Sequence, residues 1–183
     1  IESGRGPFSL PDLLFKRANT RLAMGADTDE GERLVTEDLG RAASLALQMG
    51  ELGIFVDALA ARARRIARKA YSIGEPDMDG LAEEISHLRE GLSLPLSPER
   101  QATLFHGIAS LERVNTPDVS AVTLAEAMEL LPRGKNYRIE LGAERVSVLR
   151  AAGKPEEAAT IGRDLLEEVT AATEKTVVGM LHC

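Results

Sequence analysis

Residues Leu124-Ala-Glu-Ala127-Met-Glu-Leu-Leu-Pro132, followed by Leu141-Gly142 and then by Gly153 and Ala158, decide how this chain folds. Two helical segments carry small residues at fixed spacings, and Pro132 stops the first of them because proline lacks an N–H and clashes with the preceding turn. Alanine and glycine at such positions let neighbouring helices approach closely. Stacked helical hairpins are built this way, and holding a partner is the work they suit.

The rest of the sequence agrees with a helical build. Its 183 residues suit one domain or one short repeat array, long enough to bury a core. Hydrophobic residues make up 44% and charged residues 28%, a balance that argues against disorder. Aromatics are only 3% and tryptophan is absent, so the core falls to Leu, Ala, Ile and Val. Small aliphatics suit closely packed helices better than a sheet, which favours β-branched and aromatic residues. The expected fold class is all-α.

A formal charge of -7 gives no reason to expect non-specific binding of nucleic acid by the chain as a whole. Cys183 is the one cysteine, which excludes an internal disulfide and suits a reducing cytoplasm, the expected location. No apolar run approaches the ~20 residues of a membrane helix, so no membrane partner is expected. The chain opens Ile1-Glu-Ser-Gly-Arg-Gly-Pro7 without an initiator methionine and is expected to be a piece of something longer.

Punctuation residues divide the chain. Residues 1–9 read as a linker, and Ser9 is placed to cap a helix that starts at Leu10 or Pro11 and buries Leu10, Leu13, Leu14, Ala18 and Leu22. A second helix is expected over about 30–49, burying Leu34, Leu39, Ala42, Ala46 and Met49. The third, about 54–73, sets Arg62, Arg64, Arg65, Arg68 and Lys69 against Phe55, Leu59, Ala63, Ile66 and Ala70. Further helices are expected over about 78–92, 98–113, 119–131, 136–152 and 155–173, with Ser97-Pro98-Glu99 a strong start signal. The residues from 176 to 183 read as a tail. About eight helices in four αα-hairpins, starting near residues 11, 52, 97 and 136, give a period near 40, as stacked helical repeats do.

From about Gln101 to Glu167 this pattern resembles the tetratricopeptide (TPR) repeat. Ala127 and Pro132 have that family's closing spacing, with Leu124 three and Ser120 seven residues before the alanine. Leu141-Gly142 stand where the next repeat's Leu-Gly pair belongs, and Gly153 and Ala158 reproduce the five-residue step from turn glycine to second-helix alanine, one helical turn late. Arg145 replaces an expected aromatic, Gly162 replaces a large residue, and Gly107-Ile108 stands for Leu-Gly in the earlier hairpin. The resemblance implies a right-handed solenoid over residues 10–175, the alternative being an irregular helical bundle.

It also implies a partner groove lined by the first helix of each hairpin. Those faces carry Phe105, His106, Ala109 and Arg113, then Asn136, Ile139, Glu140, Ala143 and Ser147, a hydrogen-bonding wall with apolar patches that suits a peptide. The plainer alternative is a set of solvated polar faces. A second candidate is the basic patch Arg62, Arg65, Arg68 and Lys69, suited to an anion or acidic partner. Its plainer alternative is a solvated face, since Asp and Glu outnumber Lys and Arg 29 to 22.

Glu84-Ile-Ser-His87 is one Glu-x-x-His element of the kind a carboxylate di-metal site uses in pairs, but neither His106 nor His182 supplies the second. The sequence therefore calls for no catalytic residues, metal or cofactor. The expected function is a non-enzymatic protein-, peptide- or ligand-binding domain, the regulatory part of a larger regulator or scaffold, with self-association as a homodimer one use of its helix surfaces. The alternatives are a metal-binding or enzymatic bundle centred on Glu84 and His87, and a nucleic-acid surface on the basic helix over 62–69. Nucleic acid is not expected for this segment alone.

Overall fold

In the computed structural model, residues 8–25, 28–73 and 76–181 are described, Ile73 and residues 171–181 through their backbone only. The described residues form eight helices and no strand: α1 Leu10–Ala23, α2 Asp29–Gln48, α3 Leu52–Ile73, α4 Met78–Leu92, α5 Pro98–Glu112, α6 Pro117–Glu129, α7 Asn136–Ala151 and α8 Pro155–Leu181. The all-α expectation is met. Side-chain caps set many of the boundaries. Ser9, Thr28, Asp77 and Ser97 each accept a hydrogen bond from the backbone N–H three residues on, which satisfies a donor the first helical turn leaves open. α7 ends in a Schellman turn, in which Lys154 N donates to Leu149 O at 2.9 Å and Gly153 N to Arg150 O at 3.2 Å. That turn needs φ of +76° at residue 153, which glycine adopts without strain.

One difference concerns the end of the chain. α8 continues through Leu181, so residues 174–181 extend the helix instead of forming a tail; Cys183, His182 and residues 1–7 of the expected linker lie outside the described residues. The chain also divides into two compact units, Ile1–Leu96 and Ser97–Cys183. The division falls in Ser93-Leu-Pro95-Leu-Ser97-Pro98, whose prolines interrupt helix hydrogen bonding on both sides of Leu96.

In the first unit α3 is the central helix. It packs on α1, α2 and α4, and Phe55, Val56, Ala58, Leu59, Ala60, Ala63 and Ala67 are all buried. Its contact with α4 is much thinner than its contact with α2. α1 meets its neighbours along a narrow stripe, Pro11, Leu14 and Ala18, and Leu10 and Leu13 stay about half exposed, contrary to the five-residue face expected. Met49, expected to be buried, is the exposed C-cap of α2. Beneath α1, Asp38 of α2 is 4% exposed, and guanidinium groups of Arg17 and Arg21 cover both its oxygens.

In the second unit consecutive helices pack in turn, α5 on α6, α6 on α7 and α7 on α8. Leu124, Ala127, Leu141 and Ala158, the residues of the organising stretch, share one core with Val148, Leu149 and Leu165. Ser120 is fully buried, and its hydroxyl donates to Ala109 O at 2.7 Å, which ties α6 to α5.

Gly142 shows why a small residue is required at its position. A Cβ there would stand 2.5 Å from Leu165 Cδ2 and 3.1 Å from its Cγ, so α8 approaches α7 as closely as a side-chain-free backbone permits. Gly142→Ala is expected to destabilise the unit by about 1–3 kcal/mol through overpacking, reduced by the ~1 kcal/mol that alanine contributes to helix propensity. Denaturant unfolding should show the loss, and Gly142→Ala/Leu165→Ala should lose less than the sum of the single variants.

Candidate functional site

The thin contact between α3 and α4 opens a cleft of about 550 Å³ in the first unit, walled by α2, α3 and α4. The helical repeat places Arg62, Arg65, Ile66, Lys69 and Ala70 along the α3 wall. α4 contributes Gly80, Leu81, Glu83, Glu84 and His87, and α2 contributes Glu32, Arg33, Thr36 and Glu37. The volume lies in the range of small-molecule sites, which combine an apolar lining with a few placed polar groups. Ile66, Ala70, Leu81 and Pro76 are the apolar part here.

Most charges in the cleft already have partners. Arg65 Nε donates to Glu32 Oε2 at 3.0 Å, and Arg33 is held by Glu30 and Glu37. Lys69 Nζ stands 3.8 Å from Asp29, whose side chain is 97% exposed, so this is a loose surface pair. Arg62 packs its guanidinium over Gly40 of α2 and reaches Glu84 Oε2 of α4 at 3.2 Å.

Among the described residues Glu84 is the buried charged group of the cleft. It is 3% exposed, and its Oε1 has no hydrogen-bond partner among the described residues. Burial is the main cause that raises its carboxyl pKa above the ordinary 4.5, with Arg62 and then His87 opposing the rise and Glu83 adding to it. Two other carboxylates, the buried Asp38 and the half-buried Glu168, are better satisfied. Asp38 has two arginines, and Glu168 accepts from Gly134 N at 2.7 Å and from Arg138 Nε at 3.3 Å.

The residues expected of the basic patch are partly brought together. Arg62, Arg65 and Lys69 line the cleft, whereas Arg68 is exposed and does not, because a step of ~100° per residue turns it away from the 62–65–69 stripe. Glu84 and His87, adjacent on α4, line the same cleft. They lack further ligands: among the described residues no group of three or more His, Cys, Asp or Glu could hold a metal ion, and Glu84 Oε2 is already taken by Arg62.

The residues of the expected groove lie in the second unit and have divided fates. Asn136, Glu140, Ala143 and Ser147 are exposed on α7, and Ile139 is half-buried. Phe105 packs against the core and Ala109 is 1% exposed within it, so Ala109 has no surface to offer a partner. Packing of α6 over α5, fixed by Ser120, is what covers it. His106 is engaged internally: its Nε2 lies 2.7 Å from Glu144 Oε2, and its Nδ1 lies 3.3 Å from the Tyr137 hydroxyl. Arg113 Nη1 stands 3.9 Å from Glu144 Oε1. These contacts join α5 to α7.

No helix among the described residues is long and apolar enough to cross a membrane. Comparison of the chain with protein-family models, curated proteins and solved structures finds no match.

Proposed function

We propose that this chain is a ligand-binding domain, a sensor in type, whose ligand occupies the α2–α3–α4 cleft. The observation that carries this reading is a cleft of ligand size whose wall holds a buried, half-satisfied carboxylate beside an arginine. A buried acceptor without a donor costs free energy that folding alone does not recover, and such groups concentrate at sites that meet a ligand. Apolar lining from Ile66, Ala70 and Leu81 would supply affinity, and the polar groups would supply orientation.

The test is a fragment screen on ¹⁵N-labelled protein. Fragments that bind are expected to shift the amide signals of Ile66, Gly80 and Leu81 together, with sub-millimolar affinity for the best. Ile66→Trp, which fills the cleft, should abolish those shifts while leaving the spectrum of the second unit intact. A screen in which no fragment moves the cleft signals, or in which Ile66→Trp binds as well as the parent, would reject the assignment.

A second reading concerns residues 97–183 and rests on Gly142. Its close approach to Leu165, with Ala127, Leu141 and Ala158 in one core, supports TPR-like hairpins in this unit and a protein- or peptide-holding role for the exposed α7 face at Asn136, Glu140 and Ser147.

A further inference from the structure

Among the described residues, three buried carboxylates, Asp38, Glu84 and Glu112, and the half-buried Glu168 allow a comparison within one molecule. Asp38 and Glu168 have donors on both oxygens, and Glu112, 5% exposed, accepts from Thr123 Oγ1 at 2.6 Å with a further interaction besides. Glu84 has Arg62 on Oε2 and no partner on Oε1 among the described residues, and of the four it alone lines the cleft. An ionised carboxylate can only accept, so the missing partner of ionised Glu84 is a donor, and a charged nitrogen makes the strongest such bond.

We propose that the cleft takes a small ligand bearing a protonated amine next to an apolar body, with the ammonium on Glu84 Oε1 and the apolar body on Ile66, Ala70 and Leu81. This rests on the cleft being the binding site. Arg62 does not exclude a second cation at Glu84, since Asp38 in the same unit holds two guanidinium groups at once. The neighbouring arginines are neutralised by their own partners, Arg65 by Glu32 and Arg33 by Glu30 and Glu37, while Glu83 adds negative charge on α4. Entry to Oε1 requires a small displacement of α4, the helix least held by its neighbours. Two sources share this chemistry, simple amines and free amino acids. Lys69, with only a loose partner, is the cleft group that would favour the second by meeting a ligand carboxylate.

The experiment uses the full chain, ¹⁵N-labelled, with isoamylamine, L-leucine and isovalerate as probes of one apolar size. Isoamylamine or L-leucine is expected to shift Ile66, Gly80 and Leu81, and Glu84→Gln to weaken that binding about tenfold or more. Tighter binding of L-leucine than of isoamylamine, lost in Lys69→Ala, assigns the amino acid; the reverse order assigns the amine. Binding should also fade as pH falls and Glu84 protonates, in the presence of Arg62 and Arg65 on α3, Glu32 and Glu37 on α2, and Glu83 and His87 on α4. Ammonium probes that bind Glu84→Gln undiminished would overturn the proposal. So would cleft shifts with isovalerate alone, an outcome that keeps the cleft as a ligand site and rejects only the ligand class. Silence from all three probes overturns the proposal as well, and the fragment screen then decides separately whether the cleft binds anything.

Discussion

Replacing Arg138 with methionine is expected to lower the unfolding free energy by about 3–5 kcal/mol. Arg138 is 16% exposed at its side chain and Glu168 is 8%. The guanidinium donates to Glu168 of α8, to Met128 O in the last turn of α6 and to Leu131 O at 3.3 Å just past its end. Glu168 in turn accepts from Gly134 N at 2.7 Å, in the loop that joins α6 to α7. One side chain thus ties three helices and a turn. Removing it leaves a buried carboxylate with a single backbone donor and leaves helix-end carbonyls open. The double variant Arg138→Met/Glu168→Gln should therefore be more stable than Arg138→Met alone, because glutamine keeps an acceptor for Gly134 without a buried charge. A loss below about 1 kcal/mol for Arg138→Met, the range of exposed pairs, or a double variant no better than the single, would show that the network is mere surface pairing.

Neither that network nor the cleft was visible in the sequence, and the reason is physical. Helix boundaries follow from local chemistry: Ser9, Ser97, Pro98, Pro132 and Gly153 act within one turn of themselves, and the helices begin and end beside them. The core alanines and leucines of α6 and α7 follow from periodicity, which is also local. Arg138 and Glu168 are thirty residues apart on different helices, and nothing near either one distinguishes it from a solvated charge. The cleft depends on how far α4 stands from α3, a matter of side-chain volume at a contact that no spacing rule reports. Its residues could be proposed singly, as Arg62, Arg65, Lys69, Glu84 and His87 were, but their convergence could not. Arg68 fails for the opposite reason: a run of basic residues looks like one patch in one dimension, and a helix distributes it around its axis. The contacts of His106 and Arg113 with Tyr137 and Glu144 were out of reach for the same reason as the Arg138 network, because they join different helices.

The second large effect is an asymmetry across the cleft. Arg62→Met is expected to cost about 3–5 kcal/mol at neutral pH, whereas Glu84→Met should cost nothing or stabilise by about 1–3 kcal/mol. The two partners differ in what each leaves behind. The Arg62 side chain is 30% exposed and can turn to water when its partner is lost, but the Glu84 side chain is 4% exposed and cannot. Removing the arginine strands a charge in the protein, and removing the glutamate relieves one. The pH dependence follows from the same carboxyl. Its folded pKa is raised above the ordinary 4.5, so the unfolded chain ionises more readily, and stability associated with Glu84 is fully present below that value and lost as pH rises through the folded pKa. Arg62 opposes this rise, so its removal widens the window. The cost of Arg62→Met should accordingly be small near pH 4.5, grow toward neutrality, and largely vanish in Arg62→Met/Glu84→Met, as chemical denaturation at a series of pH values can measure. A cost for Arg62→Met that does not change with pH would mean that the residue matters through its packing on Gly40 and not through the carboxylate. If instead the asymmetry is found, the chain retains at Glu84 a group that lowers its stability at neutral pH, which is the expected cost of keeping an acceptor ready for a ligand.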